Sequence, residues 1–317
     1  MNRYARQMIL PQIGDAGQSR LTRAHVLVVG AGGLGVPVLQ YLAGAGVGQI
    51  TLVDDDIVAE HNLHRQPLYR MDQIGQPKAQ AARDVLAALN PAVTVTPVVQ
   101  MLDPANATAL VGAADLVLDC ADTFAASLTL SDACHDAGKP LITASALAMS
   151  GYVIGCCGDA PSLRAIFPDL PERGATCATA GVMGPVVGAV GAIQGQMALS
   201  VLLGLEPSPL GQLISIDAAS WRMGGFRFDC APEPDQPLPF IARSQIRTND
   251  LLIDLRAEAA PFSPAAGHVL PQDIATLHIP DGRRVVLACT TGLRAHNAGQ
   301  VLQSRWSGEI ALLALNS

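Results

Sequence analysis

The residues best equipped for chemistry lie between positions 30 and 122. Gly30-Ala31-Gly32-Gly33-Leu34-Gly35 follows directly on the apolar run 26–29 and leads into a helical stretch that ends near residue 45. Glycines at a strand-to-helix turn let a phosphate approach backbone N–H groups at the positive end of the helix. Asp54 lies about 20 residues beyond the last glycine, where a carboxylate accepts hydrogen bonds from ribose hydroxyls. Alone, this pattern says nucleotide or dinucleotide, and a nicotinamide dehydrogenase is its first reading. Asn62, Arg65, Gln66 and Lys78 count against that reading, because two cations near the same strand ends suit a triphosphate better than a pyrophosphate diester. Taken singly, Arg65 and Lys78 also fit solvated surface charges. Asp122 comes just after the strand 115–119, at the carboxyl edge where open sheets bind ligands. A carboxylate beside phosphates points to Mg²⁺, and by itself it reads equally well as the N-cap of the next helix.

Two thiols stand out among the seven cysteines. Cys289-Thr290-Thr291-Gly292-Leu293-Arg294 joins an apolar strand to a helix. Successive N–H groups and the helix N-terminus then surround the sulfur, an arrangement that lowers a thiol pKa and stabilises a persulfide. Cys177 sits in a Gly/Ala/Thr-rich stretch with no basic residue after Arg173 and reads locally as a small buried apolar residue. The odd cysteine count, irregular spacing and lack of a C-x-x-C pair argue against a disulfide framework and fit a reducing cytosol.

The elements that must position these groups alternate strand and helix. Strands are expected at 26–29, Gln49–Val53, 93–99, 115–119, 141–143 and 152–156, with helices at Lys78–Leu89 and Phe124–Ala137. That order predicts an α/β fold: a doubly wound, mostly parallel sheet covered on both faces. Strands follow at Gln212–Asp217 and 222–228. Pro232, Pro234, Pro237 and Pro239 then mark a linker over 229–247. A second, smaller α/β unit is expected over 248–317, from strands at 251–255 and 285–288 and a helix at 293–302. Half of the 317 residues are apolar and 15% are charged, enough for one large core and a satellite. A net charge of −7 disfavours nucleic acid or an anionic membrane as a partner. Residues 174–205 carry no charge and are long enough to span a bilayer, but Gly, Thr, Ser and Gln are scattered through them, so no membrane span is expected. Met1-Asn2-Arg3-Tyr4 opens without an apolar h-region, so no signal peptide is expected.

In order along the chain come Arg3-Tyr4-x-Arg6-Gln7, the glycine loop, Asp54-x-Asp56, Asn62-Leu63-x-Arg65-Gln66, Gly75-Gln76-Pro77-Lys78 and Asp119-Cys120-x-Asp122. That series resembles the MoeB/ThiF/HesA family, relatives of the ubiquitin-activating enzymes, over residues 1–228. The resemblance implies a Rossmann-like fold and ATP-dependent adenylation of the terminal glycine carboxylate of a ubiquitin-like sulfur-carrier protein ending in Gly-Gly, with release of pyrophosphate. It implies nucleotide contacts from Gly30, Gly32, Gly33, Gly35, Asp54, Asp56 and Asn62, and phosphate contacts from Arg65, Gln66 and Lys78. Asp122 would bind or position Mg²⁺. Arg6 would reach the phosphates of the neighbouring subunit in a homodimer, and Cys177 matches a cysteine that in some members attacks the acyl-adenylate. Thr123 departs from the family's Asn. Where relatives carry a zinc-binding P-C-x-x-C-L-F-P segment and a later C-x-x-C, this chain has Ser162, Ala165 and Glu233 beside Cys230, so structural zinc is not expected. Leu252-Ile253-Asp254-Leu255-Arg256 with the Cys289 loop resembles a shortened rhodanese-like sulfurtransferase domain, making Cys289 a candidate sulfur carrier. A degenerate module that docks a carrier without using ATP is the alternative within the same family.

Overall fold

The computed structural model describes residues 2–170, 180–256, 261–280 and 282–315. Helices α1 (Ala5–Met8) and α2 (Gly14–Arg23) precede β1 (His25–Val29), α3 (Gly35–Ala45) and β2 (Gln49–Val53). After these come α4 (Lys78–Leu89), β3 (Thr94–Val98), α5 (Ala107–Gly112), β4 (Leu116–Asp119) and α6 (Phe124–Ala137). The chain continues through β5 (Pro140–Leu147), β6 (Ser150–Cys157), α7 (Leu163–Ile166), the long α8 (Gly184–Leu203), β7 (Gln212–Asp217) and β8 (Arg222–Arg227). These strands form one eight-stranded sheet in the order β3-β2-β1-β4-β5-β6-β7-β8. It is parallel from β3 to β5 and antiparallel from β5 to β8.

The antiparallel half has a local cause. Leu147 pairs with Ser150, so only Ala148 and Met149 turn the chain between β5 and β6, too few residues for the crossover that parallel strands require. The strand expected at 141–143 is therefore the first part of a longer hairpin arm.

Side chains alternate across the sheet as the pleat demands. Val26 and Val28 pack with Leu39, Leu42, Ile50 and Val190 on one face, whereas Leu27 and Val29 pack with Val117, Leu128 and Leu141 on the other. Of the described helices, α8 alone is long and apolar enough to cross a membrane, and half of its most apolar window is buried inside the molecule. It lies against α3, β5 and β6 as a core helix. Its buried Gln194 is fully engaged: Nε2 donates to the carbonyls of Asp119 at 2.7 Å and Ile142 at 3.0 Å.

A second, wholly parallel sheet has the order β10-β9-β11-β12, formed by β9 (Leu251–Asp254), β10 (Gly267–His268), β11 (Val285–Cys289) and β12 (Ile310–Ala314). Helix α9 (Leu293–Gln303) joins β11 to β12. One face of this sheet, including Leu287, Cys289 and Leu312, belongs to the same apolar cluster as Leu27 and Leu128 of the large sheet. The Pro-rich stretch delivers Leu238, Phe240, Ile241 and Ala242 into buried positions. It runs beside β12, with Leu312 N–H donating to the Pro239 carbonyl and Ile241 N–H to the Leu312 carbonyl, both at 2.8 Å.

Candidate nucleotide and carrier site

The strand register sets the site. Val29 of β1 pairs with Val53 of β2 on one side and with Asp119 of β4 on the other, so three strands finish level. Gly30, Asp54 and Cys120 therefore start three loops at one edge. Gly30 has φ +98°, and a Cβ there would stand 2.5 Å from the Cys120 carbonyl oxygen. Gly32 instead faces space: the nearest atom to its missing Cβ is Gln66 Nε2 at 3.7 Å. The first glycine makes the turn, and the second leaves room for a ligand. Gly35 begins α3, packed so closely that a Cβ would strike the Gly30 carbonyl.

A cleft of about 1260 Å³ opens at this edge, lined among others by Gly30, Gly32, Gly33, Asp54, Asp56, Asn62, Arg65, Gln66, Lys78 and Asp122. Ten of the sequence-predicted positions thus converge. Asp54 accepts from Ala31 N at 2.6 Å and from Asp56 N at 2.9 Å. Burial raises its pKa, and these hydrogen bonds only partly oppose the rise. Lys78 is 4% exposed and its Nζ lies 2.6 Å from Asp56 Oδ2, so it is held by a carboxylate and aimed at the edge. Burial works against the charge on Asp56, but the Lys78 hydrogen bond, the Ile57 N–H and nearby Lys78 and His61 charge outweigh it and lower its pKa.

Asn62 and Gln66, 5% and 3% exposed, carry side-chain oxygens that are buried without a hydrogen-bond partner among the described residues. Buried polar atoms are rarely left in this state. Two of them on one cleft wall fit a polar ligand that completes them. Arg65 donates to the His61 carbonyl at 3.1 Å, which braces its guanidinium at the rim.

Asp122 is exposed on the cleft wall. It is not the cap of α6: Thr123 is, its Oγ1 accepting from Ala126 N at 3.2 Å. The departure from the family's Asn thus supplies a good N-cap, worth about 1 kcal/mol, and leaves Asp122 available to a ligand. An exposed carboxylate beside a phosphate-sized space fits Mg²⁺, which takes one or two protein oxygens and completes its shell with water and phosphate. Below it, buried Asp119 accepts from Thr143 Oγ1 at 2.6 Å and from Ala121 N at 3.1 Å, fixing the base of the loop.

The cleft continues past a mononucleotide. Ser145, Ser150 and Tyr152 of the β5–β6 hairpin, Ser215 and Asp217 of β7, and Arg222 and Gly224 of β8 line its far half. Phe167, Asp169 and Leu170 close one side, with the Phe167 ring centroid 5.8 Å from that of Tyr152. Sequence reasoning did not find this half, whose small polar residues carry no signature until the strands are paired.

Three other candidates lie elsewhere. Arg6 is exposed on α1, outside the cleft lining. Its neighbours bind the far ends of two helices: Tyr4 Oη accepts from Nδ2 of Asn90, just after α4, at 2.8 Å, and Gln7 Nε2 donates to the carbonyl of Ala45 in α3 at 2.8 Å. Cys177 lies outside the described residues. Cys289 is fully buried, with Ala295 N–H donating to its Sγ at 3.4 Å. At the zinc-motif positions, Glu233 accepts from Ser162 N at 2.6 Å and from Ser162 Oγ at 2.5 Å. A hydroxyl, an engaged carboxylate and the one thiol of Cys230 at these positions do not fit a tetrahedral N/S zinc site.

Fold and site together define a nucleotide-binding α/β enzyme whose cleft joins the glycine-loop edge to a second, extended compartment. Residues 4–238 match the model of the ThiF family, and the chain belongs to that family. It is 44% identical over 253 residues to a sulfur carrier protein adenylyltransferase of Thermus thermophilus, covering 74% of this chain and 93% of that protein. It is 40% identical over 220 residues to the SAMP-activating enzyme E1 of Haloferax volcanii, covering 69% of this chain and 82% of that one. The adenylyltransferase and sulfurtransferase MOCS3 of Bos taurus is 43% identical over 245 residues, or 75% of this chain; the match spans about half of that relative's length, 54%. Adenylyltransferase is accordingly the enzyme class. Among solved structures, Escherichia coli MccB with MccA-N7isoASN superposes with a TM-score of 0.65 at 22% identity, over 73% of this chain and 74% of that one, a likeness of fold.

Proposed function

We infer that this chain uses ATP with Mg²⁺ to adenylate the C-terminal carboxylate of a small ubiquitin-like sulfur-carrier protein ending in Gly-Gly. The observation that carries the reading is the two-compartment cleft: unpartnered amide oxygens, cations and the glycine loop at one end, and an extended peptide-sized floor at the other. In the reaction a carboxylate oxygen of the carrier attacks the α-phosphorus, a new acyl O–P bond forms, the α–β P–O bond breaks, and pyrophosphate leaves. Both reactants are anionic. Arg65 and Lys78 offset the repulsion and stabilise charge on the leaving pyrophosphate, Asp54 orients ribose, and the N–H groups after Gly30 hold phosphate oxygens. Asp122 would hold Mg²⁺, whose contribution is to neutralise phosphate charge.

The reading includes a homodimer in which Arg6 completes the neighbour's site, supported by the exposure of Arg6 away from its own cleft. It includes a cytosolic location, supported by free thiols at six described cysteines. It also includes a second step in which the outer sulfur of a Cys289 persulfide, charged by a sulfane-sulfur donor, attacks the acyl carbonyl and displaces AMP. The resulting acyl disulfide is cleaved by a thiol reductant to the thiocarboxylate. For this the Cys289 thiol must first become accessible. The test is ATP–pyrophosphate exchange with purified ubiquitin-fold proteins ending in Gly-Gly. Exchange that depends on such a carrier is expected, and mixed Arg6→Ala and Lys78→Ala chains should regain part of the activity each lacks. Absence of carrier-dependent exchange would overturn the reading and favour the docking module.

A further inference from the structure

Helix α9, in the C-terminal unit, is fastened to two elements that line the cleft. At its N-terminus, a Cβ on Gly292 would lie 3.1 Å from Ala125 Cβ of α6, and the adjacent Ala126 lines the cleft. On one face, His296 and Gln300 stand four residues apart and point to residues 164–169. Gln300 Nε2 donates to the Pro168 carbonyl at 2.9 Å and to Asp169 Oδ1 at 3.2 Å. His296 is buried and interacts electrostatically with Arg164 and Asp169. Arg164 closes the frame: it donates to Asp132 of α6 at 2.6 and 2.8 Å and to the Leu238 carbonyl at 2.9 Å.

The segment held this way carries Phe167, Asp169 and Leu170, the side wall of the far compartment. Its inner contact is Phe167 against Tyr152 of β6, at the opposite end of the cleft from Asp54 and Lys78. The nucleotide end is built on β1, β2, α4 and the β4–α6 loop. The principal contacts of α9 are β11, β12 and the turn Pro271–Thr276, and its approach to α6 at Ala125 is made through Gly292, about two turns of helix away from Gln300. A pull on Pro168 and Asp169 therefore acts on the compartment that receives the carrier tail and spares the one that receives ATP.

We propose that Gln300 is a positioning residue for adenylation: by donating to Pro168 and Asp169 from outside, it sets the wall against which the carrier tail is bound. The C-terminal unit is thereby part of the substrate site of the adenylation step, whatever it contributes to sulfur chemistry. This rests on the carrier reading given above.

The test compares Gln300→Ala, Gln300→Glu and Gln300→Lys in the full chain. Exchange kinetics use the Gly-Gly-terminated ubiquitin-fold protein that the wild type turns over fastest. Gln300→Ala should raise KM for that carrier about three- to tenfold, the size of one lost hydrogen-bond set, with KM for ATP unchanged. Gln300→Glu keeps the shape but places a carboxylate against a carbonyl and a carboxylate, and should raise KM further than Ala does. Gln300→Lys restores a donor and should bring KM back to within about twofold of wild type. Amide hydrogen exchange in a peptide spanning 163–170 should accelerate in the same order. A Glu variant that behaves as wild type would reduce Gln300 to packing and overturn the proposal, as would equal rises in both KM values. A wild type without carrier-dependent exchange removes the functional reading instead, and hydrogen exchange then still decides whether Gln300 holds the wall.

Discussion

Two loops in this molecule share one local grammar and have opposite fates. Each leaves a parallel strand, turns on a positive-φ glycine and enters a helix: Gly30 between β1 and α3, with φ +98°, and Gly292 between β11 and α9, with φ +84°. The first opens onto a cleft of about 1260 Å³. At the second, a Cβ on Gly292 would fall 2.6 Å from the Phe240 ring, and Cys289 is fully buried. Amides around a loop can be arranged for an anion in both places, but only the first is reachable. What separates them is the chain laid over the loop, a Pro-rich segment with an aromatic residue in one case and open space in the other.

The largest effect belongs to the open loop. Lys78→Ala should lower carrier-dependent exchange tenfold to a hundredfold, because a charge-assisted contact is worth about 1.5–3 kcal/mol. Steady-state exchange measures it, and unchanged exchange would remove Lys78 from the phosphate site and weaken the contrast. A circular-dichroism melt should accompany it, since Lys78 is also buried against Asp56.

The closed loop is tested by uncovering it. Among the described cysteines, exposed Cys230 should label first under limiting iodoacetamide, and buried Cys289 far more slowly. Phe240→Ala should speed Cys289 labelling at least about tenfold, the change expected when about 1.4 kcal/mol or more of closing free energy is removed. Buried Cys134 of α6 serves as the internal reference. If Cys134 accelerates equally, the variant has loosened the whole fold and Phe240 is no specific cover.

A smaller effect distinguishes the two regions by acid. In and beneath the cleft, burial raises Asp54 and Asp119 above the ordinary 3.8 despite their hydrogen bonds. In the second sheet, burial works against Asp250 and Asp254, but Arg284 and Arg256 outweigh it and both are lowered below 3.8. A raised carboxyl binds its proton more tightly in the folded state, so its penalty is relieved as pH falls through its folded pKa. A lowered one gives stability present above 3.8 and lost as pH falls through its folded pKa. As pH falls below 3.8, amide protection, taken relative to the intrinsic exchange rate at each pH, should therefore be lost in peptides covering β9 and β11 before those covering β1 and β4. The reverse order would contradict the assignment of ion-pair stability to the second sheet.

Much of the open loop was legible in the sequence, because its chemistry is carried by residue types at fixed spacings: the glycines, Asp54, Arg65, Lys78 and Asp122 all line or build the cleft. The strands Gln49–Val53 and Gln212–Asp217 and the helices Lys78–Leu89 and Phe124–Ala137 were bounded correctly from periodicity, prolines and caps. Thr123 stood out in the sequence only as a departure from the family's Asn, and its role as the cap of α6 was hidden because capping and ligand binding draw on the same polar residues. The far compartment was invisible because antiparallel pairing brings Ser145, Ser150 and Ser215 together, and none is distinctive alone. The short helix Ala107–Gly112 and the strand Ile310–Ala314 were missed for want of caps and alternation. The burial of Cys289 was out of reach for a different reason: a thiol's local sequence reports its electrostatics, whereas Phe240, packed against Gly292 of the same loop, is distant in the chain.

The apolar cluster that runs from the large sheet into the small one has a consequence for inheritance. A fused unit can be traded between genes as a cassette only when its boundary is already clothed in polar side chains. Here the seam is Leu238, Phe240, Leu293 and Leu312 meeting Ala125 and Leu128, and a cut along it would bare both halves. The partners are bound to change in step: a substitution that enlarges one side of the seam must be answered on the other. Lineages of this chain should therefore record paired exchanges between α6 and α9, as one would expect of a lock and a key filed together.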